Sequence, residues 1–99
     1  MDYTLEKLEV YQLAETVSDE IWNIVINWDH FIKDTIGKQI VRSADSISAN
    51  IAEGYGRYFY KESKQFYFYS RGLLQETKSW FTKCKQRKII PEKKVMNCY

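Results

Sequence analysis

The residues best placed to do chemistry in this chain are few. They are three serines beside an aspartate (Ser43, Ser46, Ser48 and Asp45), two carboxylates two helical turns apart (Asp45 and Glu53), and the pair Gly54-x-Gly56. Two cysteines, Cys84 and Cys98, and one histidine, His30, complete the set. The serines would need a base to become nucleophiles. The only histidine lies outside their segment, so no triad can be assembled from the sequence. Asp45 and Glu53 share a helix face roughly 12 Å apart. Without further ligands they do not make a metal site. The glycine pair closes a helical segment, and no lysine-serine pair follows, so it does not read as a phosphate loop. The cysteines have no second pair and give no metal-ligand spacing. They read as two reduced thiols. No cofactor motif and no small-molecule substrate site is evident, and the chain is expected to be non-enzymatic.

The remaining chemistry is recognition. Arg57, Lys61, Lys64, Arg71, Lys78, Lys83, Lys85, Arg87, Lys88, Lys93 and Lys94 make the second half basic. Lys64, Arg71 and Lys78 recur every seven residues, which places them on one helix face, and Lys85 continues the interval. Tyr58, Tyr60, Tyr67 and Phe68 are interleaved with them. Basic side chains neutralise phosphates, and aromatic rings stack on unpaired bases. The competing reading is a solvated basic face with its rings in core or subunit contacts. Asn50 and Glu53, three residues apart, are neighbours on a helix. The favoured role for Glu53 is structural, pairing with Arg42, Arg57 or Arg71 or capping a neighbouring backbone, and the alternative is a ligand or oligomer contact. Candidate nucleic-acid residues are therefore Arg57, Lys61, Lys64, Arg71, Lys78 and Lys85. Arg42, Asn50, Glu53, Gly54 and Gly56 form a candidate structural or oligomer network.

These residues must be held by helices. The chain has 99 residues with one Pro and four Gly, a composition that favours long helices in one domain spanning 1–99. Ile40, Ala44, Ile47 and Ile51 step by four, three and four, the spacing of one buried stripe. Small residues surround it at Ser43, Ser46, Ser48, Ala49 and Ala52. This helix is expected to run from Asp34 or Thr35 to about Glu53, centrally, with close partners on more than one side. Gly54 and Gly56 are expected to end it through the left-handed conformation. Gly37 falls in its first turn at a propensity cost of about 1 kcal/mol.

An earlier helix is expected from Thr4, as N-cap, to Trp28. Its seam is Val10, Ala14, Val17, Ile21, Ile24, Trp28 and Phe31, with Leu13 and Val25 beside it and Tyr11 and Trp22 on other faces. Phe31 and Ile32 are expected to plug the end of the bundle. A third helix is expected from Lys61 to Lys88, with one seam through Phe66, Tyr69, Leu73, Glu76 and Trp80 and another through Tyr67, Leu74 and Phe81. Gly72 is expected to permit close packing. The rings of Tyr55, Tyr58, Phe59 and Tyr60, in the preceding connector, are expected to pack on something. Pro91 is expected at the first position of a short fourth helix of about two turns.

Charge divides along the chain. Residues 1–34 carry eight acids and two bases, and the rest thirteen bases and five acids, within a net charge of +2. Such polarity suits nucleic acid on one face, or opposite charges meeting between subunits. No apolar run approaches the ~18 residues of a membrane span, and the N-terminus lacks a basic region followed by an apolar core. A cytoplasmic location is expected.

The segment Arg42-Ser-Ala-Asp-Ser-Ile-Ser-Ala-Asn-Ile-Ala-Glu-Gly-Tyr-Gly-Arg57 resembles the central motif of the 23S ribosomal RNA intervening-sequence protein family, also called the four-helix-bundle protein family. The matching positions are Arg42, Ala44, Ser46, Ile47, Asn50, Ile51, Ala52, Glu53, Gly54, Gly56 and Arg57. Ser43 departs, where relatives commonly carry a basic residue. Leu8-Glu9-Val10-Tyr11 is similar to the family's opening, and Phe66 with Arg71-Gly72-Leu73-Leu74-Gln75-Glu76 to its third helix. The resemblance implies an all-α, up-down antiparallel bundle of three long helices and a short or partial fourth. It also implies a homo-oligomer, a pentamer as in relatives, and a link to RNA or DNA. The family occurs within ribosomal RNA intervening sequences, and a similar bundle accompanies diversity-generating reverse transcriptases. A protein-interaction scaffold without nucleic acid is the alternative.

Overall fold

The computed structural model describes residues 4–91, and its regular elements there are all helical. A single 3₁₀ turn, Leu5–Lys7, precedes α1, Glu9–Val25. Residues 30–55 form one rod, α2, made of His30–Ile32, a π-helical turn over Lys33–Gly37, and Lys38–Tyr55. Helix α3 is Tyr60–Gln86. The expected fourth helix lies outside the described residues.

The apolar stripe of α2 explains its position. Ile40, Ala44, Ile47 and Ile51 are all buried. Helices α1 and α3 each pack on α2 far more than on each other. Both run antiparallel to it. Ser18 and Glu15 of α1 meet Asp45 and Ser48 of α2, in reverse order. Thr77 and Ser70 of α3 meet Ser43 and Ile47 in the same reversed sense. One cluster, Ile21, Val25, Ile36, Ile40, Ala44, Phe81, Cys84 and Ile90, fills one end. Ala14, Ile47 and Ile51, with Leu73 and Leu74, fill the other.

Several boundaries differ from expectation. Thr4 caps only the 3₁₀ turn and makes no side-chain cap bond, so α1 starts five residues later. Helix α2 starts at His30, earlier than Asp34, because its first turn continues through the π segment. Gly37 lies in that π turn, where a Cβ would stand 2.8 Å from Val25 Cγ1. Its missing side chain is what lets α1 approach. Phe31 does not plug the end: it is 76% exposed, while Ile32 packs on the core. The connector rings of Tyr58, Phe59 and Tyr60 are largely exposed, with Tyr58 at 92%. Tyr58 and Phe59 meet only edge to face.

The glycines near 55 do not take the left-handed conformation. Gly54 is inside α2, and Gly56, the C-cap, has φ −82°. Left-handed backbone appears instead at Lys88, φ 59°. There the Ile89 N–H reaches back to the Cys84 carbonyl at 2.9 Å, closing α3 and turning Ile90 into the core.

The buried lines of α1 and α3 are also rotated from the expected seams. Ala14, Ser18, Ile21 and Val25 are buried in α1, and Val10 is half exposed. In α3 the buried residues are Ser70, Thr77, Phe81 and Cys84. Three of these sit seven apart and have small side chains, so the helices come close along that line. Burial pushes the Cys84 thiol up to about 11, away from the reactive thiolate.

Gly72 faces outward, and a Cβ added there would have nothing within 4 Å. It does not serve close packing within the chain. Gly72→Ala should therefore raise stability by about 0.5–1 kcal/mol through helix propensity. Thermal melting checks this, and a lowered midpoint would place a neighbouring molecule against that face.

Candidate nucleic-acid interface

The basic line is set by α3. Lys64, Arg71, Lys78 and Lys85 lie about 100° around the helix from the buried Ser70, Thr77 and Cys84. Lys64 and Arg71 are exposed, and Lys78 and Lys85 are half-buried. Lys64 Nζ lies 5.7 Å from the Phe68 ring centre, and Lys85 Nζ 5.8 Å from that of Phe81. The two acids of α3 occupy the opposite flank. Glu76 pairs there with Arg42 at 3.2 Å and accepts from Trp80 Nε1. Glu62 approaches Arg57 at 3.8 Å. The line of bases thus runs along a flank free of α3 carboxylates.

Arg57 does not join that line. Its guanidinium pairs with Glu53 at 3.0 Å and stands 4.7 Å above the Phe66 ring. This settles Glu53 on Arg57 among its three possible partners. Both groups are about half exposed, so the pair contributes little by itself, on the order of 0–1 kcal/mol. Lys61 is exposed in the first turn of α3.

The candidate structural network does not form one connected set: Arg42 pairs with Glu76 of α3 and Glu53 with Arg57. Asn50 is half-buried and donates to the Ser46 carbonyl at 2.8 Å, one turn back on its own helix, and not to Glu53. Gly54 is buried against α3, and a Cβ there would meet Tyr67 Cε1 at 2.7 Å and the Ser63 carbonyl at 3.0 Å. Gly56 has open space apart from its own helix. Ala49 is exposed and Ala52 half-buried. Together with Glu53, Gly56 and Arg57 they line a shallow groove of about 400 Å³. The close approach expected around α2 is therefore made at Ser43, Ser48 and Gly54, and Ala49 takes no part in it.

Sequence reasoning missed the interhelical hydroxyls. The Ser18 hydroxyl donates to the Asp45 carboxylate. Ser48 donates to Glu15 at 3.1 Å, and Tyr11 donates to the same carboxylate at 3.0 Å. That last bond raises the Tyr11 pKa, because the phenol's proton is shared with an anion. Across α2 and α3, Ser70 donates to the Ile47 carbonyl at 3.0 Å, and the Thr77 and Ser43 hydroxyls are bonded at 2.9 Å. The available signal was the seven-residue recurrence of Ser70, Thr77 and Cys84. A hydrophobic pattern does not find it, because two of the three are polar.

Among the described residues no group of three or more His, Cys, Asp or Glu could hold a metal, and no helix is long and apolar enough to cross a membrane. Comparison with curated proteins and with solved structures gives no match. A family model does match, over residues 6–99, described as 23S rRNA-intervening sequence protein, a description that names no catalytic activity. Together with the central segment of α2 and its all-helical setting, this match means that the chain belongs to the 23S rRNA-intervening sequence protein family.

Proposed function

We propose that this chain is a non-enzymatic, self-associating helical protein that binds RNA or DNA through the flank of α3 bearing Lys64, Arg71, Lys78 and Lys85. The observation that carries the reading is the segregation of charge on α3. Four of its bases, Lys64, Arg71, Lys78 and Lys85, form one line, while Glu62 and Glu76 lie on the other flank against Arg57 and Arg42, with Lys83 seven residues after Glu76 on that same flank. Membership of a family named for a ribosomal RNA insertion supports a nucleic-acid partner. Lys61 extends the site toward Tyr58, Phe59 and Tyr60, whose largely exposed rings suit stacking on unpaired bases. The assembly is proposed to be a pentamer working in the cytoplasm.

Binding of labelled structured RNA and single-stranded DNA, followed by anisotropy across a salt series, tests this. Four phosphate contacts to a single strand give a log–log slope of about −3, or roughly a fiftyfold loss between 50 and 200 mM salt. Absent binding at low salt, or binding indifferent to salt, would reject it.

The exposed rings of the turn favour a second reading, a protein-interaction scaffold whose basic half meets the acidic α1 of a neighbour. Light-scattering mass separates the two. In the scaffold, rising salt dissociates the oligomer and nucleic acid leaves its mass unchanged.

A further inference from the structure

A broad concavity lies away from the basic line, between the end of α1 and the start of α2. It encloses about 540 Å³. Trp22 and Val25 of α1, with Ile26 just beyond its end, form one wall, and Gly37 and Val41 of α2 the other. Trp22 and Ile26 remain 53% and 48% exposed, so two large apolar side chains are held open to solvent. At about 100° per residue, they stand on the opposite flank of α1 from Leu13 and Val17. Those two line a different, smaller cleft beside Leu74. A helix laid between α1 and α3 would cover that cleft and leave the Trp22 groove open.

The rim has a charge of its own. His30, Lys33, Lys38 and Arg42 surround the apolar walls, with Asp34 the one acid among the lining residues. Lys33 joins no ion pair among the described residues. Lys38 pairs with Asp34 at 3.2 Å, but both side chains are more than half exposed, and such pairs exchange partners at little cost. The π turn bears on this site, because it carries Lys33, Asp34 and Gly37 into the lining together. Apolar walls of this volume with a few polar groups at the mouth fit a small organic ligand.

We infer that this groove binds a small amphipathic anion, a carboxylate on a short aliphatic or aromatic body, with the body against Trp22, Ile26 and Val41 and the carboxylate at Lys33 and Lys38. The inference is independent of nucleic-acid binding, which uses another face of the molecule.

Calorimetric titration of the full chain with octanoate, octanol and octylamine tests it, since the three share a tail and differ in charge. Octanoate should bind about tenfold tighter than octanol, and octylamine weakest, because only the carboxylate gains charge-assisted bonds. Replacing both lysines, Lys33→Gln with Lys38→Gln, should bring octanoate down to the affinity of octanol and leave octanol unchanged. Ile26→Glu, at an exposed wall position, should weaken all three, with circular dichroism confirming retained helix. Equal affinity for octanoate and octanol, insensitivity to Ile26→Glu, or no binding by the folded protein would overturn the inference. So would octanoate binding that disappears as protein concentration rises, because a second copy would then be the occupant.

Discussion

Replacing Gly54 with leucine is expected to lower the melting midpoint by roughly 5–20 °C, the shift of a ~100-residue domain for an overpacking cost of about 1–3 kcal/mol. The Cβ alone would stand 2.7 Å from the Tyr67 ring and 3.0 Å from the Ser63 carbonyl. The ring is partly exposed and can swing aside. The carbonyl belongs to the backbone of α3, so the helices must part to admit a longer side chain. Parting them also strains the bond from Ser70 to the Ile47 carbonyl and the bond between Thr77 and Ser43. Gly56→Ala supplies the control. Its nearest neighbours are carbonyls of its own helix at 3.6 and 3.8 Å, and its φ of −82° suits any residue. Its stability should stay within about 0.5 kcal/mol of the parent, in line with other surface changes. If the two substitutions cost the same, the close approach of α2 and α3 at Gly54 is wrong.

That contrast also marks what the chain discloses by itself. A glycine pair at the end of an apolar stripe resembles a helix stop, and both residues invite the same explanation. Only the packing of Tyr67 and Ser63 separates a glycine needed for contact from one at a terminus. Gly37 and Gly72 reverse in the same manner. By its position in the sequence Gly37 is merely tolerated, yet it is where Val25 closes on α2. Gly72 has the sequence setting of a packing device, yet it faces open space. The stripe through Ile40, Ala44, Ile47 and Ile51 was legible because apolar residues at helical spacing have one favourable arrangement, burial on one side. Ser43, Ser70 and Thr77 were not legible as core. Polar side chains are buried only when partners exist, and those partners lie on another helix, 23 and 34 residues away. The Trp22 groove was half legible. The tryptophan visibly fell off the seam of α1, but the π turn opposite it leaves no mark in hydrophobic periodicity. The seven-residue line of bases was legible in full, since it depends only on spacing along a single helix.

The same line carries the other large expected effect. Glutamate at Lys64, Arg71 and Lys78 together should weaken RNA or DNA binding at least ~100-fold at 100 mM salt and flatten the log–log slope by about 2 to 3. Each reversal removes a phosphate contact and adds a repulsion, so the loss exceeds that of simple neutralisation. Lys64 and Arg71 are exposed, so the helix content should persist, which circular dichroism would verify. Net charge is a confounding factor, because three reversals take the protein from +2 to about −4, and long-range attraction falls with it. Single substitutions remove the confusion. Lys7→Glu, on the 3₁₀ turn, changes the net charge as much as Arg71→Glu does. If the basic flank is the site, Arg71→Glu lowers affinity several-fold and flattens the slope by about 1, while Lys7→Glu leaves the slope unaltered. Equal effects from both would mean that the protein attracts nucleic acid only through its overall charge, and the segregation of bases on α3 would have to be explained by contacts between copies of the chain.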